Sequence, residues 1–278
     1  MSSGVVEGIN STRIAVLVVS CDNYADLWQP FFDLFWRFWP DCPFPVYLLT
    51  NQKRFDAPGV VTIQAGKDVS WSDNVLEGLR HIKEEIVLMW IDDLFLLEKV
   101  ETDALQRVCS EFIKVDGNYI RLNPTVKADK QFNDHFGLAS KGTIYRTSTV
   151  LSLWRKAVLR ELLKPGESAW DFEIHGTLRS DAYDGFYAAW RSYFTVVNGV
   201  IKGKWHRKAY KRIRTFCPDA ALDRRRVMSF AEGMVFYTKV IRTWMLLRIP
   251  SRYRRRIKDK VLFGKYNYRL SRTSRKDP

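Results

Sequence analysis

The sequence predicts an α/β protein in which helices cover both faces of a largely parallel sheet, with a basic helical extension at the C-terminal end. Unbroken apolar runs such as RIAVLVVS at 13–20 and IVLMWI at 86–91 are typical of strands buried on both faces. Segments with apolar residues at helical spacing alternate with these runs, as in a helix-covered sheet. The charge, finally, is concentrated in the last quarter of the chain.

The first hundred residues read as strand, helix, strand, strand, helix and strand, an order typical of a nucleotide-binding α/β half. The chain contains no GxGxxG after the first strand and no GxxxxGK[ST], which argues against a dinucleotide enzyme and a P-loop NTPase. Ser72 or Asp73 is the expected N-cap of the second helix. The expected elements are strands at 13–20, 46–49, 60–64 and 86–91 and helices at 25–39 and from Trp71 onward.

Two adjacent carboxylates, Asp92 and Asp93, follow the apolar run at 86–91. A charged pair is costly inside a core, so we expect the chain to leave the sheet at Asp92. Ligands of open α/β sheets bind beyond the carboxyl ends of the strands, and two carboxylates there can hold a divalent cation that bridges a diphosphate. The alternative is that the pair caps a following turn or helix.

The second half of the chain is less regular. A long polar stretch, Asn123–Lys141, is expected to be a loop, and Asn198-Gly199 is expected to turn a hairpin, since Asn-Gly is a strong hairpin signal. Asp171 and Glu173 lie in the segment ESAWDFEIHGTLRSD at 167–181. The other expected elements are helices at 102–115 and 149–163, strands at 119–122 and 144–146, and hairpin strands at 193–197 and 200–203.

Residues 204–278 contain 23 Lys and Arg against 5 Asp and Glu, and the whole formal charge of +14 comes from them. We therefore expect a catalytic domain at 1–203 and a basic amphipathic region at 204–278. Within 226–249, an apolar stripe that includes Phe230, Met234 and Ile241 has basic residues at its margins, which suits an anionic membrane surface. The alternative is that this helix packs on the domain or on a second subunit of a homo-oligomer.

The arrangement resembles the GT-A fold glycosyltransferases, specifically small bacterial enzymes of polysaccharide or lipopolysaccharide biosynthesis. Four parts carry the resemblance over about 13–204: the end of the first strand at Ser20-Cys21-Asp22, the helix start WSDNVLEGL, the carboxylates of WIDDLFLL, and AWDFE followed by Gly176 and Arg179. The adjacent carboxylates depart from the Asp-x-Asp spacing common in the family.

The resemblance implies a nucleotide-sugar donor and a role for each group. Asp93, with Asp92, is the expected ligand set for Mg²⁺ or Mn²⁺, and Asp92 alternatively serves the ribose. An inverting enzyme needs a carboxylate base for the acceptor hydroxyl; Glu173 is favoured, with Asp171 in reserve. The alternative makes Asp171 an N-cap partner and Glu173 an ion-pair partner of Arg179 or His175. The expected nucleotide-binding residues are Ser20, Asp22, Tyr24, Trp71, Asp73 and Asp92, although Trp71 fits a core position equally well.

The sequence thus favours an enzyme that transfers a sugar to a lipid-linked or growing glycan, so that the acceptor is a glycan or a glycolipid. No apolar segment of signal-peptide type begins the chain, so we expect it in the cytoplasm, peripheral on the inner face of the membrane. One alternative is a nucleotidyltransferase, although SCDNYADLW lacks the Gly-rich basic loop such an enzyme would normally show. Another is a non-catalytic membrane- or nucleic-acid-binding module; no nucleic-acid motif is present, so we expect no nucleic acid partner.

Overall fold

A computed structural model describes residues 13–248 and confirms the α/β class. A nine-stranded sheet lies between two helical layers, with strand order β3-β2-β1-β4-β9-β6-β10-β8-β7. The strands are β1 Ile14–Val19, β2 Val46–Thr50, β3 Val60–Gln64, β4 Ile86–Ile91, β5 Leu94–Leu96, β6 Tyr119–Arg121, β7 Lys130–Gln131, β8 Phe136–Leu138, β9 Ser152–Arg155, β10 Phe186–Ala189, β11 Val196–Asn198, β12 Val200–Ile201 and β13 Lys204–Trp205.

The described part of the chain contains seven helices. One of them, α5, contains a π-helical turn over Phe172–Gly176. The helices are α1 Ala25–Phe38, α2 Trp71–His81, α3 Thr102–Lys114, α4 Lys156–Leu162, α5, which begins as Ala169–Asp171, passes through that turn and ends as Thr177–Arg179, α6 Arg207–Phe216 and α7 Phe230–Arg248. None of the helices within residues 13–248 is long and apolar enough to cross a lipid bilayer.

The central strands bury both faces, as their continuous apolar runs predict. Alternate residues of β1 point to opposite layers: Val16 and Val18 belong to one core cluster, and Ala15 and Leu17 to the other. The first layer is rich in aromatic side chains from α1, and Trp90 of β4 packs edge-on against Phe35 at 5.8 Å. The aromatic layer thus reaches Trp90, two residues before the carboxylate pair.

Strand direction brings the ends of several strands together. β3, β2, β1 and β4 are parallel to one another, and β6 and β10 run the same way because the intervening β9 is antiparallel to both β4 and β6. The carboxyl ends of these six strands therefore lie along one edge of the sheet. The segments that follow them carry the polar residues discussed below.

Three predicted elements of the second half are wrong. Residues 149–155 are not helical, because Ser152–Arg155 form strand β9 between β4 and β6, where Trp154 is fully buried. Residues 144–146 are not a strand, and the stretch expected to be a long loop, 123–141, contains β7 and β8 at the sheet edge. For β9 and β8, pairing with strands that are distant in the sequence decides the conformation.

The predicted Asn198-Gly199 hairpin is also wrong. β11 pairs with β5, and the hairpin that follows joins β12 to β13 through Lys202-Gly203, both at positive φ (51° and 76°). A two-residue turn with both φ values positive matches the twist of the strands. Gly199 serves a close approach instead: a Cβ there would lie 2.4 Å from the Phe95 ring.

The start of the basic region contributes to the same core as the sheet. Trp205, Ala209 and Ile213 are fully buried, and the Trp205 ring lies 5.8 Å from that of Phe95. The division of the chain at residue 203 stays a prediction, but the segment 205–213 packs on the core through these three residues, while its lysine and arginine side chains are exposed. The basic segments beyond Arg248 lie outside the described residues.

Candidate active site

The carboxylate pair forms a tight turn at the end of β4. Asp92 and Asp93 connect β4 directly to β5, so they do not cap a helix. The Trp90 indole Nε1 donates to the Leu94 carbonyl at 2.8 Å, and the Gly199 amide donates to the Asp93 carbonyl at 2.7 Å. One side-chain and one backbone hydrogen bond thus hold the turn, with its two carboxylates, at the sheet edge.

Asp92 is linked to the end of β1 by a short chain of hydrogen bonds. The Ser20 hydroxyl donates to Asp92 Oδ2, and the Trp28 indole Nε1 donates to Ser20 Oγ at 2.6 Å. Asp92 is only 5% exposed, and burial is the main reason why its pKa lies well above the ordinary value; neighbouring Asp93 raises it further. Two of the predicted site residues, Ser20 and Asp92, are therefore in direct contact.

Asp93 has a buried oxygen without a partner. Its Oδ1 accepts no hydrogen bond from any residue in 13–248, and burial raises the pKa of the carboxyl to about 7, while Arg225 acts in the opposite direction. Leaving such an acceptor unsatisfied costs on the order of 1–3 kcal/mol. A cation would relieve this cost, so Asp93 has the chemistry of a ligand.

The carboxylate oxygens at this turn could supply part of the coordination shell of a cation, with the other ligands coming from a bound phosphate and water. The described part of the chain has no group of three or more His, Cys, Asp or Glu residues that could hold a metal ion. Mg²⁺ in particular is often bound by one or two carboxylates together with substrate phosphates and water. The Asp93 oxygen, with Asp92 beside it, therefore fits Mg²⁺ or Mn²⁺.

Asp22 ties the ends of β1 and β2 together. Its carboxylate accepts hydrogen bonds at 3.0–3.2 Å from the backbone amides of Asn51, Gln52 and Lys53. These bonds shape a cleft of about 260 Å³. The predicted contact of Asp22 with a nucleotide stays a prediction. The cleft is lined by Asp22, Asn23, Asn51, Gln52, Gly66, Lys67 and Asp68.

The start of α2 contacts the loop that leads to α5. The N-cap is Ser70 and not Ser72 or Asp73: the Ser70 hydroxyl accepts from the Asp73 amide at 3.1 Å. Asp73 Oδ2 in turn accepts from the Gly166 amide at 2.9 Å, and its pKa is lowered by the Ser70 hydroxyl and by that amide. Trp71, partly buried, lies 5.6 Å from the Phe172 ring. Trp71 and Asp73 thus join α2 to α5 in the structure.

Glu173 lies in the π-helical turn of α5 and has one oxygen held by three donors. Glu173 Oε1 accepts from the Thr149 amide at 3.0 Å and from the hydroxyls of Ser148 and Thr149 at 3.2 Å each. No hydrogen bond to Oε2 is described within residues 13–248. π-Helical turns are frequent at functional sites. One oxygen is therefore fixed, while the other can accept a proton.

The position of Thr149 shows where Glu173 lies relative to the carboxylate pair. Met89 of β4 pairs with Ser152, the first residue of the antiparallel β9, so the segment just before β9, which includes Thr149, lies at the carboxyl end of β4. Glu173, bonded to Thr149, thus lies at the same edge of the sheet as Asp92. This proximity comes from β9, which the sequence pattern did not predict.

Asp171 belongs to the start of α5. Its Oδ2 accepts from the Ser168 amide at 3.1 Å and from the Ser168 hydroxyl at 2.6 Å, a capping box. The ion-pair alternative for Glu173 is wrong, because Glu167 is the partner of Arg179 at 2.6 Å and of His175 at 3.5 Å. Asp171 therefore has a local structural role, and its reserve role as a base stays a prediction.

Arg225, which the sequence analysis did not single out, lies close to the carboxylate pair. It forms a two-pronged ion pair with Asp26, 2.7 Å on each prong, and its guanidinium lies 4.2 Å from the centre of the Tyr24 ring. Both members of the ion pair are only 11% exposed at their side chains. The one available signal was the run DRRR at 223–226, which composition alone assigned to the basic region.

No protein-family model and no curated protein matches this sequence. Among solved structures, the chain is similar to UTP-bound UGPase from Acinetobacter baumannii (11% identity, TM-score 0.49, 82% of this chain and 98% of that chain). It is also similar to the mannosyltransferase PcManGT from Pyrobaculum calidifontis in complex with GDP-Man and Mn²⁺ (13% identity, TM-score 0.49, 90% of this chain and 87% of that chain). A third similar structure is S. aureus TarS 1-349 in complex with UDP-GlcNAc (11% identity, TM-score 0.44, 76% of this chain and 68% of that chain).

The chain spans 40% of the length of another S. aureus TarS structure, at 13% identity and a TM-score of 0.41. At this level of sequence identity and structural agreement, the activities of these proteins cannot be assigned to this chain. The functional conclusion has to come from the site itself.

Proposed function

We propose that this chain is a glycosyltransferase that moves a sugar from a nucleotide-sugar donor to a glycan or glycolipid acceptor. The observation that carries the proposal is the unpartnered, buried Oδ1 of Asp93 at the end of β4. Carboxylates whose pKa is strongly perturbed by burial are concentrated at functional sites. The resemblance of the sequence to GT-A glycosyltransferases supports the same reading.

A divalent cation bound by Asp93, with Asp92, would neutralise the charge that grows on the departing nucleoside diphosphate. Ser20 holds Asp92 in place, and Trp28 in turn holds Ser20. The protein's part in this half of the reaction is therefore to keep two carboxylates desolvated and oriented before the donor arrives.

Glu173 acts as the base. Its Oε2 accepts the proton of the acceptor hydroxyl while the acceptor oxygen bonds to the anomeric carbon and the bond from that carbon to the diphosphate oxygen breaks. Attack from the face opposite the leaving group inverts the anomeric configuration. Three donors to Oε1 keep the Glu173 carboxylate in one orientation during the transfer.

Release of nucleoside diphosphate from a panel of sugar nucleotides, with MgCl₂ or MnCl₂, tests the proposal. We expect turnover that Asp93→Ala abolishes and that Asp92→Ala lowers less, if Asp92 serves the ribose. Asp103→Asn, at an exposed position of α3, is the control for loss of a carboxylate. Full turnover in Asp93→Ala would refute the role of the pair, and formation of a sugar nucleotide from a nucleoside triphosphate would identify a nucleotidyltransferase instead.

We further propose that residues 204–278 hold the enzyme on the anionic inner face of a membrane. The support is the exposed apolar stripe of α7, where Phe230, Met234, Ile241 and Met245 are 76%, 51%, 53% and 53% exposed. These residues recur at helical spacing, and basic residues near an anionic surface contribute about 1 kcal/mol each.

Sedimentation with vesicles of phosphatidylglycerol and phosphatidylcholine tests this proposal. The full chain should bind at low salt, and Phe230→Ser/Ile241→Ser should bind at least tenfold less. A concentration-dependent dimer that the double variant abolishes, with no vesicle binding, would show that the stripe is a homo-oligomer interface.

A further inference from the structure

A strongly basic groove is lined in part by Arg225, whose charge acts on both carboxylates of the pair. It has a volume of about 590 Å³ and lies between the loop after β1 and the segment 202–226. Only two acidic side chains, Asp22 and Asp26, are among its lining residues. The basic lining residues are Lys53, Lys202, Lys204, Arg224, Arg225 and Arg226.

Ion pairs within the protein offset only part of this charge. Arg225 pairs with Asp26, and Lys204 and Arg226 share the single carboxylate of Glu232 at 2.6 and 2.7 Å. For Lys53, Lys202 and Arg224, all exposed, no ion pair is described within residues 13–248, and the Lys53 ammonium donates to the Asp22 carbonyl. The groove therefore has an excess of positive charge that is free to meet an anion.

The backbone at Lys202 supports a functional role for its side chain. Lys202 is the first residue of the β12–β13 turn and has φ 51°, a conformation for which Gly or Asn is less costly. The turn begins three residues after Gly199, whose amide donates to the Asp93 carbonyl. A lysine thus occupies a turn position that favours Gly or Asn, and its side chain lines the groove.

The groove is continuous with the smaller cleft at the ends of β1 and β2. Asp22 and Asn23 line both spaces. Amide and carboxylate side chains predominate in the smaller cleft, where Lys67 is the one basic lining residue, whereas ammonium and guanidinium groups predominate in the groove. These linings match a ligand that places a polar ring in the smaller cleft and an attached polyanionic group in the groove.

We propose that this groove binds the diphosphate of the substrate, with Lys202 and Arg224 supplying the uncompensated charge. The inference rests on the proposed function for its choice of ligand, and it assigns to the start of the basic region a role in the site. The donor nucleotide is the source that the shared Asp22 and Asn23 favour; a lipid diphosphate has the same binding group.

The test is titration of the full chain with inorganic pyrophosphate in EDTA, which separates the groove from any cation at Asp93. We expect binding that Lys202→Asn/Arg224→Gln weakens roughly 10- to 30-fold, since a single charge pair about 4 Å apart in water is worth roughly fivefold. Asn tolerates the positive φ at 202, so the turn should be preserved. The matched control is Lys211→Gln/Arg212→Gln, which removes the same charge from exposed positions of α6 outside the groove.

Equal weakening by both double variants would overturn the inference, because it would show a general charge effect only. Absence of pyrophosphate binding to the unaltered chain would overturn it as well. Titrations with UDP, GDP and farnesyl diphosphate then identify the source: a groove-dependent preference for a nucleoside diphosphate supports the donor, and one for farnesyl diphosphate supports a lipid. If the groove binds diphosphate but the protein transfers no sugar, the inference stands and the proposed glycosyltransferase activity is refuted. If the protein transfers sugar and the groove variants transfer it at the same rate, the glycosyltransferase activity stands and the inference is overturned.

Discussion

Replacing Asp93 by Asn should stabilise the folded protein at and above neutral pH in the absence of metal. Burial raises the pKa of this carboxyl from 3.8 to about 7. The folded state therefore binds the proton more tightly than the unfolded state, and the stability that this group contributes is fully present below pH about 4 and lost as the pH rises to 7. An amide in its place has no such dependence.

The magnitude follows from the pKa. A shift of about 3 units corresponds to about 4 kcal/mol of unfolding free energy lost by pH 8, at about 1.4 kcal/mol per unit. The buried amide itself costs about 1–3 kcal/mol where it lacks partners, so the net gain at pH 8 is about 1–3 kcal/mol. Between pH 8 and pH 5 the difference between variant and parent should shrink by about 3 kcal/mol, and the cost of the amide cancels from this comparison.

Urea unfolding at pH 5, 6, 7 and 8 in EDTA measures these differences, with Asp103→Asn as the control. Addition of MnCl₂ at pH 8 should then stabilise the parent protein and leave Asp93→Asn unchanged, because a ligand stabilises only the state that binds it. A difference between Asp93→Asn and the parent that does not change with pH would refute the conclusion that this carboxylate is desolvated. Equal stabilisation of both proteins by Mn²⁺ would place the cation elsewhere.

Three further outcomes are expected. Glu173→Gln should lower kcat about 10²–10⁴-fold with little effect on donor affinity, and Asp171→Asn should matter less; initial-rate kinetics separate them, and the reverse ranking would transfer the base role to Asp171. Gly199→Ala should cost about 1–3 kcal/mol of stability because its Cβ would meet the Phe95 ring, and an unchanged urea midpoint would contradict the close approach. Trp205→Ala should cost about 3–5 kcal/mol in the same assay, whereas a solvated basic tail would tolerate it.

Local pattern was sufficient for the first half of the chain. The strands at 14–19, 46–50, 60–64 and 86–91 and the helices at 25–38 and 71–81 agree with the predicted elements to within about two residues at most ends. Their apolar runs are buried on both faces, so composition alone distinguishes them from their surroundings. The chain leaves β4 at Asp92 as expected, but the Asp92 carboxylate is buried there, so the cost of burying charge placed the end of the strand and not the exposure of the side chain.

In the second half, local pattern was misleading. Leu153 and Trp154 fit a helical face as well as a strand, and only the neighbouring β4 and β6 make Ser152–Arg155 a strand. Asn198-Gly199 is a good turn by composition, yet Gly199 is needed beside Phe95 and the turn falls at Lys202. Hydrogen bonds to distant segments outweighed local preference at both places.

The sequence by itself determined the α/β class, the polar residues at the ends of β1 and β4, and the concentration of positive charge after residue 203. These follow from residue type and spacing, which act locally. Only the tertiary structure decided which charged groups meet: Ser20 with Asp92, Thr149 with Glu173, and Arg225 with Asp26, the last pair 199 residues apart. Burial, desolvation and ion pairing depend on distance in space, and spacing along the chain does not encode that distance.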